Sequence, residues 1–147
     1  MTSIEALIDR QLTRRRVLER APRPQVPAPD EKPPLLRVIT VSREAGSGGR
    51  TLAAQLSKRL NFEFIDRQIV DKLVEDTGAR ERLIVSLDER TRSGIALWVE
   101  GILTGRYIDQ SEYANALCHS ITTLAEYGDA VILGRGANVI LGPRGGL

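Results

Sequence analysis

The first apolar residues of the chain recur at roughly helical spacing, and arginines occupy much of the surface between them. The apolar positions are Ile4, Leu7, Ile8, Leu12 and Leu18. This pattern predicts an amphipathic basic helix over residues 4–18. Arginines on such a helix can contact nucleic acid or an anionic membrane. More often they form a solvated face while the apolar stripe packs on the body of the protein or on a partner.

Proline dominates the next segment. Six of the seven prolines in the chain lie between residues 21 and 34. This composition favours an extended linker. We therefore predict a boundary near residue 35, with the helix and linker in residues 1–35 and a folded domain in residues 36–147.

The folded domain begins with a strand, a glycine-rich loop and a helix. Residues 36–41 are rich in β-branched side chains and end at the glycine cluster, which predicts a buried strand. Residues 51–60 read as a helix because Leu52, Leu56 and Leu60 form a stripe at intervals of four. Residues 62–65 are predicted to form a second short strand.

Helices are predicted to fill the chain between the second strand and the third. Asp66 can cap a helix that runs to about residue 77, with Gly78 placed to end it. Further helix-compatible spacing covers residues 80–85, 95–103 and 111–127. Residues 130–133 are continuously apolar, as expected for a strand buried on both faces of a parallel sheet. The pattern indicates an α/β fold with a helical subdomain.

Composition narrows the class of protein without identifying a partner. The 147 residues are 41% hydrophobic and 27% charged, with a formal net charge of +2, which is typical of an ordinary folded domain. That charge is too small to imply nucleic-acid binding. The sequence has neither a long apolar run nor a secretory signal, and Cys118 is its single cysteine. We predict a soluble, cytoplasmic protein without disulfides.

The segment SREAGSGGRT, residues 42–51, carries the strongest chemical signal. Glycines after a strand allow backbone N–H groups to point inward, and the following helix N-terminus favours an anion, so this segment predicts a phosphate cradle. It is a degenerate match to the P-loop pattern, with Arg50 in place of lysine and Glu44 in place of the first glycine. Arg50 keeps a permanent positive charge, and Thr51 can orient Mg²⁺ through its hydroxyl group.

The same segment also allows other interpretations. Gly46 and Gly48 fit the first two positions of a dinucleotide-binding fingerprint, with Asp66 suitably placed downstream, but Thr51 does not fit the third. The glycines can also form a mobile turn without a ligand. Glu44 would repel phosphate unless it turns outward, pairs with an arginine or meets the metal, and the sequence favours none of these three.

A second candidate site follows the third predicted strand. Gly134, Arg135 and Gly136 lie at its carboxyl end, where open α/β sheets bind ligands. Arg135 can direct a bidentate cation towards the same crevice as Arg50, which suits a second phosphate-bearing substrate. The alternative is an exposed arginine in a tight turn. Asp66 and Arg67 can add a substrate contact, although capping a helix explains Asp66 equally well.

Three segments, in this order, resemble the cytidylate kinase-like family of P-loop nucleoside monophosphate kinases over about residues 36–142. They are VITVSREAGSGGR (38–50), FIDRQIV (64–70) and VILGRGA (131–137). The resemblance implies a three-layer kinase fold with a parallel sheet, and transfer of the ATP γ-phosphoryl group to CMP or dCMP, assisted by Mg²⁺. It implies that Arg67 and Arg135 face the monophosphate. It also implies that the ATP phosphates lie against Ala45, Gly46, Ser47, Gly48, Gly49, Arg50 and Thr51.

The sequence departs from this family at two points. Gly136 stands where well-studied cytidylate kinases have an aspartate that is expected to contact the sugar or base. Kinases of the family also continue into further strands and an arginine-bearing lid, whereas this sequence stops at Leu147. We therefore expect an incomplete sheet and slow turnover. A non-catalytic nucleotide-binding or interaction module is the alternative, and the N-terminal helix is a candidate surface for self-association.

Overall fold

A computed structural model describes residues 3–20, 37–105 and 111–142, without the side chains of residues 18–20 and 105. The predicted proline-rich linker and the boundary near residue 35 lie outside these residues. The described elements, in chain order, are α1 (Ile4–Arg20), β1 (Val38–Val41), α2 (Gly49–Leu60), β2 (Glu63–Ile65), α3 (Arg67–Glu75), α4 (Thr77–Val85), α5 (Glu89–Gly105), α6 (Glu112–Tyr127), β3 (Ala130–Leu133) and α7 (Ala137–Leu141).

The three strands form a parallel sheet in the order β1-β3-β2. All four residues of β3 are buried, as its continuous apolar run predicts for the central strand. Val131 and Leu133 face a small cluster that includes Ala53 of α2, whereas Ala130 and Ile132 join the larger core. Mostly helical elements around a small parallel sheet are compatible with an α/β kinase-like fold.

Helix α2 is confirmed, but its leucine stripe is not its buried face. Leu52 and Leu60 are exposed, while Ala53 and Ser57 are the buried residues of the helix. The small side chains of Ala53 and Ser57 allow the helix backbone to lie close to the sheet. The face of α2 that packs on the sheet is therefore formed by small residues, and the large apolar residues lie on another face.

The prediction that Gly78 ends the third helix is wrong. Helix α3 ends at Glu75, and Gly78 lies in the first turn of α4. Asp76 causes the break because its side chain accepts a hydrogen bond from the backbone N–H of Ala79, at 2.9 Å. A side-chain cap of this kind stabilises the start of a new helix. The short helix α7 was not predicted.

Helix α1 packs on the body of the protein. Its Leu7 and Ile8 are buried in the larger core cluster. Its arginines pair with carboxylates on β2 and on two connecting segments: Arg10 with Glu63 at 2.7 Å, Arg15 with Asp88 at 3.4 Å, and Arg14 with Asp129. Packing of the apolar stripe on the body, one of the two interpretations of this helix, is therefore confirmed. No helix among the described ranges is long and apolar enough to cross a bilayer.

Truncating Leu7 tests how much α1 contributes to the fold. Leu7 is 0% exposed, so we expect Leu7→Ala to lower the free energy of unfolding by about 2–5 kcal/mol through lost burial and a residual cavity. Val17 on the same helix is 63% exposed, and Val17→Ala is the matched control, with an expected change within about 0.5 kcal/mol. Urea denaturation measures both. Equal effects would show that α1 does not contribute to the cooperative core.

Candidate phosphate site at the carboxyl ends of the strands

The candidate site lies where the three parallel strands end side by side. The loop of residues 42–48, here called the glycine loop, follows β1, and the turn of residues 134–136, here called the arginine turn, follows β3. Helix α3 begins directly after β2. The backbone N–H of Gly134 donates to the carbonyl of Val41 at 2.9 Å, which holds the start of the arginine turn beside the start of the glycine loop. Ligands of open α/β sheets bind at such an edge.

The glycine loop is open and leads into an uncapped helix. Gly46 and Gly48 have φ values of +80° and +79°, and a Cβ on either residue would meet no atom within 4 Å. Helix α2 starts at Gly49 without a side-chain cap, whereas α3, α4 and α6 are capped by the side chains of Asp66, Asp76 and Ser111. The first-turn N–H groups of α2 therefore remain available to an anion.

Arg50 points across the site to Asp66. Its Nη2 lies 2.8 Å from Asp66 Oδ2, and its guanidinium group lies 5.5 Å from the centre of the Phe64 ring. The other carboxylate oxygen of Asp66 accepts a hydrogen bond from the N–H of Ile69, at 3.1 Å. The capping role predicted for Asp66 is confirmed, and the same carboxylate holds Arg50. The Arg50 side chain is nevertheless 62% exposed and can reach a ligand.

Arg67 and Arg135 converge on a single carboxylate that the sequence analysis did not identify. Arg67 Nε lies 3.4 Å from Asp71 Oδ2, and the guanidinium group of Arg135 contacts Asp71 Oδ1. Arg67 and Asp71 stand four residues apart on α3, a spacing that favours side-chain pairing. That spacing was the available signal for Asp71. The contact with Arg135 could be found only once β3 was known to lie beside β2.

The arginine turn has an unusual backbone. Gly134, Arg135 and Gly136 all have left-handed φ values, of +74°, +57° and +68°. A side chain in this region carries a conformational cost, and such residues cluster at functional sites. The Arg135 side chain is only 23% exposed. The alternative of an exposed arginine in a tight turn is therefore wrong, because the turn directs the side chain back onto α3.

Glu44, within the glycine loop, and Thr51, in the first turn of α2, are both exposed. The Glu44 carbonyl accepts hydrogen bonds from the N–H and hydroxyl groups of Ser47, at 3.3 and 2.9 Å, which closes the turn. Within the described ranges, Glu44 forms no ion pair with Arg43 or Arg50. Nor does that part of the chain bring together three or more His, Cys, Asp or Glu side chains that could hold a metal ion by themselves.

Cys118 and His119 lie on α6, outside this site. Burial raises the pKa of the Cys118 thiol above its ordinary value, which leaves it protonated and unreactive at neutral pH. Burial and the positive charge of Arg80 lower the pKa of His119. Both groups are therefore neutral at pH 7.

The small parallel sheet with its surrounding helices is compatible with an α/β protein of the kinase-like class. The profile of the cytidylate kinase-like family matches residues 38–146. The chain therefore belongs to the cytidylate kinase-like family, as its three sequence segments indicated. Membership indicates nucleotide kinase activity, nucleotide substrates and the use of ATP. Neither the curated proteins nor the solved structures give a significant match to this chain.

Proposed function

We propose that this protein transfers the γ-phosphoryl group of ATP to a nucleoside monophosphate, with CMP or dCMP as the acceptor. The observation that supports this best is the presence of three arginines at one edge of the sheet, beside an uncapped helix. Arg50 follows β1, Arg67 follows β2, and Arg135 follows β3. Two phosphate-bearing substrates need this density of fixed positive charge, because each brings at least one anionic phosphate into the crevice.

In this proposal the ATP phosphates bind against the glycine loop and the first turn of α2, over residues 45–51. The backbone N–H groups and Arg50 neutralise their charge. Arg50 exchanges its contact with Asp66 for a phosphate oxygen. Mg²⁺ fits this arrangement because it commonly binds through few protein groups together with substrate phosphates. Thr51 offers a hydroxyl group in the first turn of α2, and the bound ion would bring positive charge to the phosphate oxygens.

The acceptor phosphate is assigned to Arg67 and Arg135. Both guanidinium groups already converge on one anionic group, the carboxylate of Asp71. A phosphate of the acceptor can take the place of this carboxylate, because guanidinium forks bind carboxylate and phosphate with similar geometry. Gly136 offers no side chain to the sugar or base, so the preference for cytosine rests on the family.

The chemistry requires positioning more than proton transfer. A phosphate oxygen of the acceptor attacks the γ-phosphorus of ATP, the bond from that phosphorus to ADP breaks, and ADP leaves. The attacking oxygen is already anionic, so no general base is needed. Arginines contribute to such a reaction by positioning the phosphates and by stabilising the charge on the transferring group.

A nucleotide-binding module without turnover is the second candidate. It is supported by the ion pairs of Arg50 with Asp66 and of Arg67 and Arg135 with Asp71, which hold the three predicted phosphate contacts on carboxylates. In this case nucleotides do not displace Asp66 and Asp71 from their arginines at the same time. ATP then binds without a correctly placed acceptor.

ADP formation from ATP and Mg²⁺ separates the two candidates. The full chain is assayed with CMP, dCMP, UMP, AMP or GMP, and without an acceptor. We expect ADP to form fastest with CMP or dCMP and slowly without an acceptor. ATP binding by calorimetry, with no acceptor-dependent ADP formation, would favour the binding module. Absence of both binding and turnover would contradict either function.

A further inference from the structure

The Arg43 side chain lies against two glycines, Gly49 at the start of α2 and Gly134 in the arginine turn. We call this position of Arg43 between the two glycines its seat. A Cβ on Gly49 would lie 2.6 Å from Arg43 Cβ and 2.7 Å from Arg43 Cγ, closer than side-chain carbons approach. A Cβ on Gly134 would lie 3.1 Å from Arg43 Nη1. The aliphatic stem of Arg43 therefore packs on the start of α2, and its guanidinium group reaches the arginine turn.

This seat places a cation between the two groups of predicted phosphate contacts. Gly49 belongs to the segment assigned to ATP, and Gly134 to the turn assigned to the acceptor. The hydrogen bond from Gly134 N–H to the Val41 carbonyl joins the arginine turn to the end of β1, two residues before Arg43. The guanidinium group of Arg43 thus lies where the transferring phosphoryl group would pass from one substrate to the other.

The charge of Arg43 is also available. Arg50, Arg67 and Arg135 each form an ion pair with Asp66 or Asp71. Arg43, by contrast, is exposed and has no carboxylate or carbonyl acceptor within residues 3–20, 37–105 and 111–142. It can therefore bind phosphate without first giving up an ion pair. Its stem is held by close packing, which limits the side-chain entropy lost on binding.

We propose that Arg43 is a catalytic residue that bridges the donor and acceptor phosphates. This assignment deepens the proposed function and rests on it. As the bond from γ-phosphorus to ADP breaks and the bond to the acceptor oxygen forms, negative charge spreads over the oxygens of the transferring group. Arg43 donates hydrogen bonds to these oxygens from its fixed fork and exchanges no proton. A Cβ on Gly49 would displace the stem of Arg43, whereas Gly134 leaves room for its guanidinium group and has a φ of +74° that itself favours glycine.

The test compares two ligands that differ in the reach of their phosphate chain. Calorimetry gives the dissociation constants of ATP and adenosine 5′-pentaphosphate for the full chain and for Arg43→Gln. The longer chain extends past the γ-phosphate into the acceptor region whatever the acceptor base. We expect Arg43→Gln to weaken both ligands, and the pentaphosphate at least about tenfold more than ATP, because the longer chain places phosphates on both sides of the Arg43 guanidinium group whereas ATP offers it only the γ-phosphate.

Each remaining outcome decides the question. Unchanged affinity for both ligands, or an equal loss for both, would overturn the bridging role while ATP binding and the proposed function stand. Failure of the unaltered chain to bind either ligand would overturn the proposed function and the bridging role with it. Arg43→Met keeps the apolar stem and removes the charge. Should Arg43→Gln not fold in a thermal melt, an unchanged ratio of the two affinities in Arg43→Met would overturn the proposal.

Discussion

Replacing Arg50 with alanine is expected to lower kcat for phosphoryl transfer from ATP by about 100- to 1000-fold, the range found when one preorganised charge-stabilising group is removed. The guanidinium group stands in the first turn of α2, beside the open glycine loop, and its exposed fork can turn from Asp66 to a phosphate. Its interaction with the transferring group strengthens as charge develops there, so the loss falls mainly on kcat. Steady-state assays at saturating ATP and CMP measure it.

Two further variants separate this effect from general loss of charge or fold. Arg59 lies exposed in the last turn of the same helix, and Arg59→Ala should leave turnover unchanged. Arg50→Lys keeps the charge but not the fork, and it should retain more activity than Arg50→Ala. Full activity in Arg50→Ala, with a thermal melt like that of the unaltered protein, would exclude Arg50 from the mechanism.

Replacing Arg135 with alanine should act on the acceptor. Arg135 and Arg67 are the two cations that converge on Asp71, so removing one leaves a single arginine for the acceptor phosphate. We expect KM for CMP to rise by about ten- to a hundredfold, the range for losing a hydrogen bond to a charged group, with KM for ATP little changed. Initial rates with each substrate varied at a saturating level of the other measure this difference.

The control for Arg135 is an arginine that is also paired with a carboxylate. Arg82 on α4 lies 2.8 Å from Glu5 on α1, and neither of these helices directly follows a strand. Arg82→Ala should change neither KM. An equal rise in both KM values for Arg135→Ala would indicate that the arginine turn supports the whole site and does not select the acceptor.

Local patterns were sufficient to predict the central strand and one helix start. The run from Ala130 to Leu133 is apolar throughout because β3 is covered on both faces. An uninterrupted apolar run can be recognised in the sequence without knowing which segments cover it. The capping by Asp66 is equally local, since the side chain bonds to Ile69 three residues later. Features determined within a few residues of the chain leave a clear trace in the sequence.

Features set by the approach of distant segments were not predictable. The buried face of α2 is set by how closely the helix meets the sheet, which makes Ala53 a core residue and leaves Leu52 exposed. The meeting of Arg135 with Asp71 requires β2 and β3 to be neighbours. The seat of Arg43 requires Gly49 and Gly134 to lie on either side of one side chain. These relations depend on strand order, which the sequence analysis did not predict.

The most direct test of the account is the identity of the products. The full chain is incubated with ATP, Mg²⁺ and CMP, and ³¹P nuclear magnetic resonance follows the phosphorus signals of ADP and CDP. Transfer of the γ-phosphoryl group to the acceptor predicts that ADP and CDP appear in equal amounts and that CMP disappears at the same rate. ADP without CDP, or no change in either nucleotide, would contradict a monophosphate kinase.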